Sequence, residues 1–251
     1  MSQTLSSLNI DEYEAIIFDL DSTLTNTHRY PLVASKWLLE NSHVDIDKFG
    51  DTYLRHLISR YFKGIEEIVA GAPFRSAFDI VQTAMGNSLK DIGFDPNLAI
   101  VEEAAQRFKS LHVELSSPYP KVPELLARLN GRGIKLGVIT NSFSGNAQII
   151  LEKLELQHYF RAIVDCGSVR AYKPMPAPFE RTLSLLDSGS SETLFVGDEY
   201  YADMVGGKKV SLTTVWINHR NHSLADSIAK YGPQTSPDYV MSSITEFAEM
   251  L

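Results

Sequence analysis

The 251-residue chain contains a single cysteine, Cys166. One thiol forms no intrachain disulfide, so packing must hold the fold, and a reducing, cytoplasmic compartment is expected. Positive charge is also short: 23 Lys and Arg stand against 31 Asp and Glu, a formal net charge of -8. General nucleic-acid binders and membrane-surface binders need basic patches, so neither kind of partner is expected. A small anionic ligand is not excluded, because one local cation cluster can hold it. No apolar run approaches the ~18 residues that cross a bilayer. The opening MSQTLSSLNIDEYE has neither the basic nor the apolar region of a signal peptide. His219 and His222 stand three apart without the Cys or His partners of a zinc site, which reads as a surface loop. Internal repeats and low-complexity segments are absent too. What is present, 44% hydrophobic and 22% charged residues, suits a globular chain long enough to bury a core.

The chain is organised around Glu14 to Thr27, EAIIFDLDSTLTNT. Ala15, Ile16, Ile17 and Phe18 form a short continuous apolar run, the pattern of a strand buried on both faces. Asp19 and Asp21 follow, then Ser22, Thr23 and Thr25. Two like charges at the rim of a core are costly unless a cation or a proton relieves them. A strand-end turn is the structural alternative. Asp45-Ile46-Asp47 is a second doublet of this kind, but no strand precedes it, and a solvated surface explains it.

From His28 to Leu115 apolar residues recur at three and four, as in PLVASKWLLEN and FGDTYLRHLISRYF. This block of about 85 residues reads as all-helical, and Asp95-Pro96 offers a cap followed by proline at a first helical position. From Pro120 helices and strands alternate. The strands are IKLGVITN, AIVDC, TLFVGD, TTVWIN and a short PDYVM, and SSITEFAEML is a last helix. Such alternation argues for an α/β fold with a doubly wound, parallel, Rossmann-like sheet. The expected organisation is a core of residues 1–27 and 116–251 with an all-helical cap, residues 28–115, inserted after the first strand.

In doubly wound sheets ligands bind at the carboxyl ends of strands near the switch point. The first strand ends in Asp19 and Asp21, the second in Thr140-Asn141-Ser142. A turn after the third leads to Lys173-Pro174, and the fourth ends in Gly197-Asp198 with Asp203 five residues on. Taken singly, each has a structural explanation. Thr140 or Ser142 can cap a helix, Lys173 can be a solvated loop charge, and Asp198 with Asp203 can be first-turn acids. Together they place carboxylates, a hydroxyl and a lysine on one rim.

FDLDSTL, VITNS, KPMPAPF and VGDEYYADMVGG, in this order, closely resemble the haloacid dehalogenase superfamily of hydrolases. The resemblance spans residues 14–27 and 116–250, and the helical block sits where one branch of that family carries its cap. It implies that Asp19 is a nucleophile and Asp21 an acid/base. It also implies that Thr140, Asn141 and Lys173 hold a phosphoryl group and that Asp19, Asp21, Asp198 and Asp203 form a Mg²⁺ site. One Mg²⁺ and Lys173 supply about three positive charges, which makes so acidic a cluster tenable beside a phosphate. An acidic residue two after the nucleophile points to phosphate esters, since dehalogenase members lack it. The chain departs from the family at Glu199, where many relatives have serine, and at Ser22, where glycine is frequent and little consequence is expected. Asp165-Cys166-Gly167 also departs from the commoner acidic wording there.

The expected function is Mg²⁺-dependent hydrolysis of a small phosphorylated metabolite (a sugar, nucleotide or glycolate-type phosphate) through an aspartyl-phosphate. A phosphomutase of the β-phosphoglucomutase type shares the catalytic set, and a binding protein with a relic site is a third reading. Arg75, between two helices of the block, is the candidate contact for the leaving group; an exposed charge at a helix start is the alternative.

Overall fold

The computed structural model describes residues 8–251; the first seven, part of the opening stretch read above for a signal peptide, lie outside the described residues. Ala15–Asp19 forms strand β1, with every residue buried. The chain continues through β2 (Thr25–Asn26) into four helices: α1 (Arg29–Asn41), α2 (Ile46–Val69), α3 (Ala77–Asp91) and α4 (Leu98–Leu115). It returns through β3 (Ser117–Pro118) to α5 (Val122–Gly131), β4 (Lys135–Thr140), α6 (Asn146–Lys153), β5 (Phe160–Asp165), α7 (Cys166–Val169) and α8 (Pro176–Leu186). The remainder is β6 (Thr193–Gly197), α9 (Gly206–Lys209), β7 (Thr213–Ile217), α10 (Leu224–Tyr231), β8 (Tyr239–Met241) and α11 (Ile244–Glu249).

Six strands form one sheet in the order β5-β4-β1-β6-β7-β8, and every pairing in it is parallel. The chain builds outward from β1 on one side, then crosses back to build on the other. The switch point therefore lies at the carboxyl end of β1. Period-2 geometry explains why β1 reads as a continuous apolar run. Ile16 and Phe18 enter a core shared with Leu125, Ile150 and Phe247. Ala15 and Ile17 enter a second core on the opposite face with Phe179, Met204 and Trp216. Helices thus cover both faces.

The four helices between β2 and β3 have their own core, built on Leu38, Tyr53, Ile80, Met85 and Ala104. Phe143, Cys166 and Tyr172 from the sheet side extend into it. Tyr172 Oη donates to Arg75 O at 2.8 Å and Asn146 Nδ2 to Lys109 O at 2.9 Å, which ties the two bodies together. The crossings pair as an antiparallel two-residue ladder, Thr25 with Pro118 and Asn26 with Ser117.

Several local expectations change. The α4 cap is Asn97, whose side chain accepts from Ala99 N, not Asp95 two residues earlier. Asp45 is exposed, as expected, and in addition caps α2 by accepting from Lys48 N. The helical segment between β6 and β7 begins as a wide π turn, Tyr200–Val205, before α9. Sequence reading also passed over β2, β3, α7 and α10. These are too short for their periodicity to stand out.

Candidate active site

Asp19 closes β1, Thr140 closes β4, and Asp198 directly follows β6. Adjacent parallel strands in register therefore bring their polar ends to one rim. Lys173 reaches the same point from the loop after α7. Its Nζ donates to Asp19 Oδ1 at 2.6 Å, to Asp203 Oδ1 at 2.7 Å and to the Ile139 carbonyl at 3.1 Å. Only 2% of this lysine is exposed. Burial alone would lower its pKa, but Asp19 and Asp203 outweigh it and hold the ammonium charged. Losing the lysine would leave two buried carboxylates uncompensated, a cost of about 3–5 kcal/mol.

Asp203 lies in the π turn, a geometry frequent at functional sites. Its Oδ2 accepts from Glu199 N at 2.9 Å. Gly197 makes room for this: a Cβ there would stand 2.3 Å from Asp203 Oδ2. Asp198 Oδ1 accepts from Thr23 Oγ1 at 3.3 Å, and its Oδ2 faces Arg220 at 3.1 Å and His219 at 3.3 Å.

Ligand atoms of Asp19, Asp198 and Asp203 all lie within 4.8 Å of one another. Burial pushes the Asp19 carboxyl well up despite Lys173, with Asp203 and Asp198 adding to the rise, and burial likewise raises Asp203. Asp19 Oδ2 is buried without a hydrogen-bond partner among the described residues. An orphaned oxygen among three crowded carboxylates fits a bound cation, and hard oxygen donors suit Mg²⁺. Burial, with the charges of Asp198 and Asp203, pushes the neighbouring Glu199 up to about 7.

A model of the haloacid dehalogenase-like hydrolases matches residues 16–217. The chain belongs to this family. A pyrophosphatase, PpaX of Bacillus mycoides, is 29% identical over 240 residues, covering 94% of this chain and 95% of that one. Two solved structures share the fold. Magnesium-bound YfnB of Bacillus subtilis has a TM-score of 0.77 at 22% identity, covering 95% of this chain and 98% of its own. The L-2-haloacid dehalogenase of Xanthobacter autotrophicus has a TM-score of 0.72 at 17% identity, with the same coverages of 95% and 98%.

Within this haloacid dehalogenase-like chain, the other expected residues are placed less simply. Asp21 is not in the acidic cluster. Its Oδ1 lies 2.6 Å from His112 Nε2, and its Oδ2 accepts from Thr140 Oγ1 at 3.1 Å. Burial alone would raise its pKa, but His112 and the Thr140 and Ser142 hydroxyls outweigh it and hold Asp21 below the usual carboxylate range. Expected among the metal ligands, its side chain is instead turned to the helical insertion. Asn141 does not offer its side chain to a phosphate either. That amide clamps the Lys173 backbone, accepting from Lys173 N at 2.8 Å and donating to Lys173 O at 3.0 Å. Arg75 is paired with Glu67 at 2.8 Å and donates to Gly64 O; it does not line the cavity over the site. The half-exposed arginine is held on the insertion's own surface.

His112 and Arg220 are not singled out in the sequence, and His219, read there as a surface-loop residue, instead faces Asp198. His219 and Arg220 follow β7, the strand next to β6, so the strand-end rule that found Asp198 also points to them. His112 carried no local signal. It sits on α4, fully buried, with Nδ1 3.1 Å from Asn146 Nδ2. That Nδ2 also donates to Lys109 O. Nδ1 is therefore the acceptor, and Nε2 carries the hydrogen that meets Asp21.

Proposed function

We propose that the protein is a Mg²⁺-dependent phosphatase acting on a small phosphorylated metabolite through an aspartyl-phosphate on Asp19, with residues 28–115 as a cap over the site. The observation that carries this reading is the buried Asp19, Asp198 and Asp203 cluster joined by Lys173, with Asp21 held just outside it. Relatives bearing the name pyrophosphatase support phosphoryl chemistry, and Asp21 opposes a dehalogenase reading, since halide leaves without a proton.

Asp19 attacks phosphorus, forming its O–P bond as the P–O bond to the leaving group breaks. Lys173 and Thr140 hold phosphoryl oxygens in line, the main demand of phosphoryl transfer. Asp19, Asp198 and Asp203 would hold the metal, which supplies charge neutralisation at the transferring group. Asp21 gives a proton to the departing oxygen, then takes one from the water that hydrolyses the intermediate and restores Asp19. General acid/base assistance of this kind is worth about 10²–10⁴-fold. The observed geometry, with both Asp21 oxygens accepting, is the ionised form needed in the second half. The paired crossings β2 and β3 suit hinges for cap motion, which would exclude bulk water during reaction.

Phosphate release from an aryl phosphate, with and without Mg²⁺, tests the reading. Mg²⁺-dependent release supports it. No release from any phosphate ester at saturating Mg²⁺ contradicts it, and rearranged sugar phosphate without release would identify a mutase instead.

A further inference from the structure

A cavity of about 850 Å³ opens from Asp19, Thr140 and Lys173 into the helical insertion. Its size is in the range of sites that enclose a drug-sized ligand. The wall is one face of α2: Leu54, Leu57, Ile58, Tyr61, Phe62 and Ile65, spaced by three and one. Tyr30, Leu32, Val81 and Phe108 close it from the other three helices. Three large apolar side chains of this lining stand open to solvent, Leu32 (53%), Ile58 (54%) and Phe62 (41%). Apolar surface gathered at the mouth of a site, rather than scattered, marks a place where an apolar group is to be covered.

Charge is as informative. Among the described residues, the insertion lines this cavity with no lysine or arginine, and its one charged contribution is the acidic Glu66. Arginines on and near this face are turned elsewhere: Arg55 donates to Thr52, Arg60 pairs with Asp91 and Arg75 with Glu67, and none of the three lines the cavity. His28 also lines the cavity, but burial, with His219 and Arg220 beside it, lowers its pKa and so disfavours its charged form. Arg220 already faces Asp198 and Glu199. A substrate with a second anionic group, such as a carboxylate or another phosphate, would therefore carry that charge into a wall with no cation to meet it.

We infer that the substrate is a phosphate monoester of an uncharged, mainly apolar alcohol, whose hydrocarbon part is held by the α2 face of this cavity. The inference rests on the phosphatase reading above and narrows it to a substrate class. The phosphoryl group would sit at Asp19 and Lys173, and the alcohol would lie along Ile58, Tyr61 and Phe62.

The test compares ethyl, butyl and hexyl phosphate with phosphoglycolate and inorganic pyrophosphate at saturating Mg²⁺. Each added methylene should raise kcat/KM by about threefold to fourfold while it still finds apolar wall. Phosphoglycolate and pyrophosphate should fall at least about tenfold below butyl phosphate. In Phe62→Ser and Ile58→Thr, exposed positions where folding is not at stake, the hexyl-to-ethyl ratio should fall about threefold or more. A flat alkyl series, a preference for either anionic substrate, or an unchanged ratio in both variants would overturn the inference. Calorimetric binding of ethyl and hexyl phosphate to the Mg²⁺-loaded protein separates the apolar site from the phosphatase activity. Tighter hexyl binding without turnover of any ester keeps the apolar site and rejects the phosphatase. Turnover with equal binding keeps the phosphatase and rejects the apolar site.

Discussion

Replacing His112 with alanine separates the two jobs assigned to Asp21. His112 is fully buried, its Nε2 lies 2.6 Å from Asp21 Oδ1, and Asn146 fixes the tautomer that donates there. A hydrogen bond to a charged group is worth about 1.5–3 kcal/mol. If that bond orients Asp21 to activate water, its loss should slow hydrolysis of the aspartyl-phosphate by ~10–150-fold. Formation of the intermediate from p-nitrophenyl phosphate needs no proton from Asp21, because nitrophenolate leaves readily. His112→Ala should therefore give a burst of nitrophenolate close to one per active site, followed by a slow steady state. Stopped-flow absorbance reads both phases, and near-ultraviolet circular dichroism checks the fold. His112→Gln, which keeps a donor near the same place, should recover most of the lost rate. Steady-state turnover of His112→Ala equal to wild type, or a glutamine variant no better than alanine, would refute the reasoning.

Other outcomes follow from the same geometry. Mg²⁺ at about 100 times its Kd should stabilise the native state by ~2.7 kcal/mol, raising Tm by roughly 5–10 °C. Asp198→Asn should remove most of that response in a scanning-fluorimetry titration, and an unchanged melting curve in wild type would count against the metal site. Ser22 has φ 65, a left-handed conformation that costs a residue with a Cβ about 1–2 kcal/mol. Ser22→Gly should thus stabilise by ~0.5–1 kcal/mol after the extra chain entropy of glycine, read as a higher urea midpoint; a lower midpoint would contradict it. Cys166 is buried, donates to Ser142 O at 3.2 Å, and its thiol is pushed up to about 12 by burial. A thiol reagent at pH 8 should label the native protein at least ~100-fold more slowly than the urea-unfolded chain, and equal rates would show the thiol exposed.

The parts of this molecule that were legible in sequence are those where local pattern and tertiary role coincide. Ala15 to Phe18 reads as a two-faced buried strand because alternate residues enter two different cores. The acidic and polar residues at strand ends read as a rim because a parallel sheet brings successive strand ends together. What did not show depends on partners distant in sequence. His112 and Asp21 are 91 residues apart, and nothing near either one announces the other. Asn141 looks like a phosphate contact by position, yet its amide matches the Lys173 backbone in both directions. Arg75 looks like a free cation, but one turn of α2 places Glu67 within 2.8 Å. Ser22 looks like a neutral replacement for glycine until its φ of 65 shows what that turn demands. The apolar face of α2 reads as core in sequence, and only the fold shows that part of it faces a cavity.

Asp19 is the group proposed to carry the phosphoryl. Intact-mass spectrometry after rapid acid quench, with an aryl phosphate and Mg²⁺, tests this directly. Asp21→Asn should show one added phosphoryl group, about 80 Da, because the intermediate forms but its hydrolysis lacks a base. Asp19→Asn should show none and should not turn over. An adduct on Asp19→Asn, or undiminished turnover in both variants, would contradict the account.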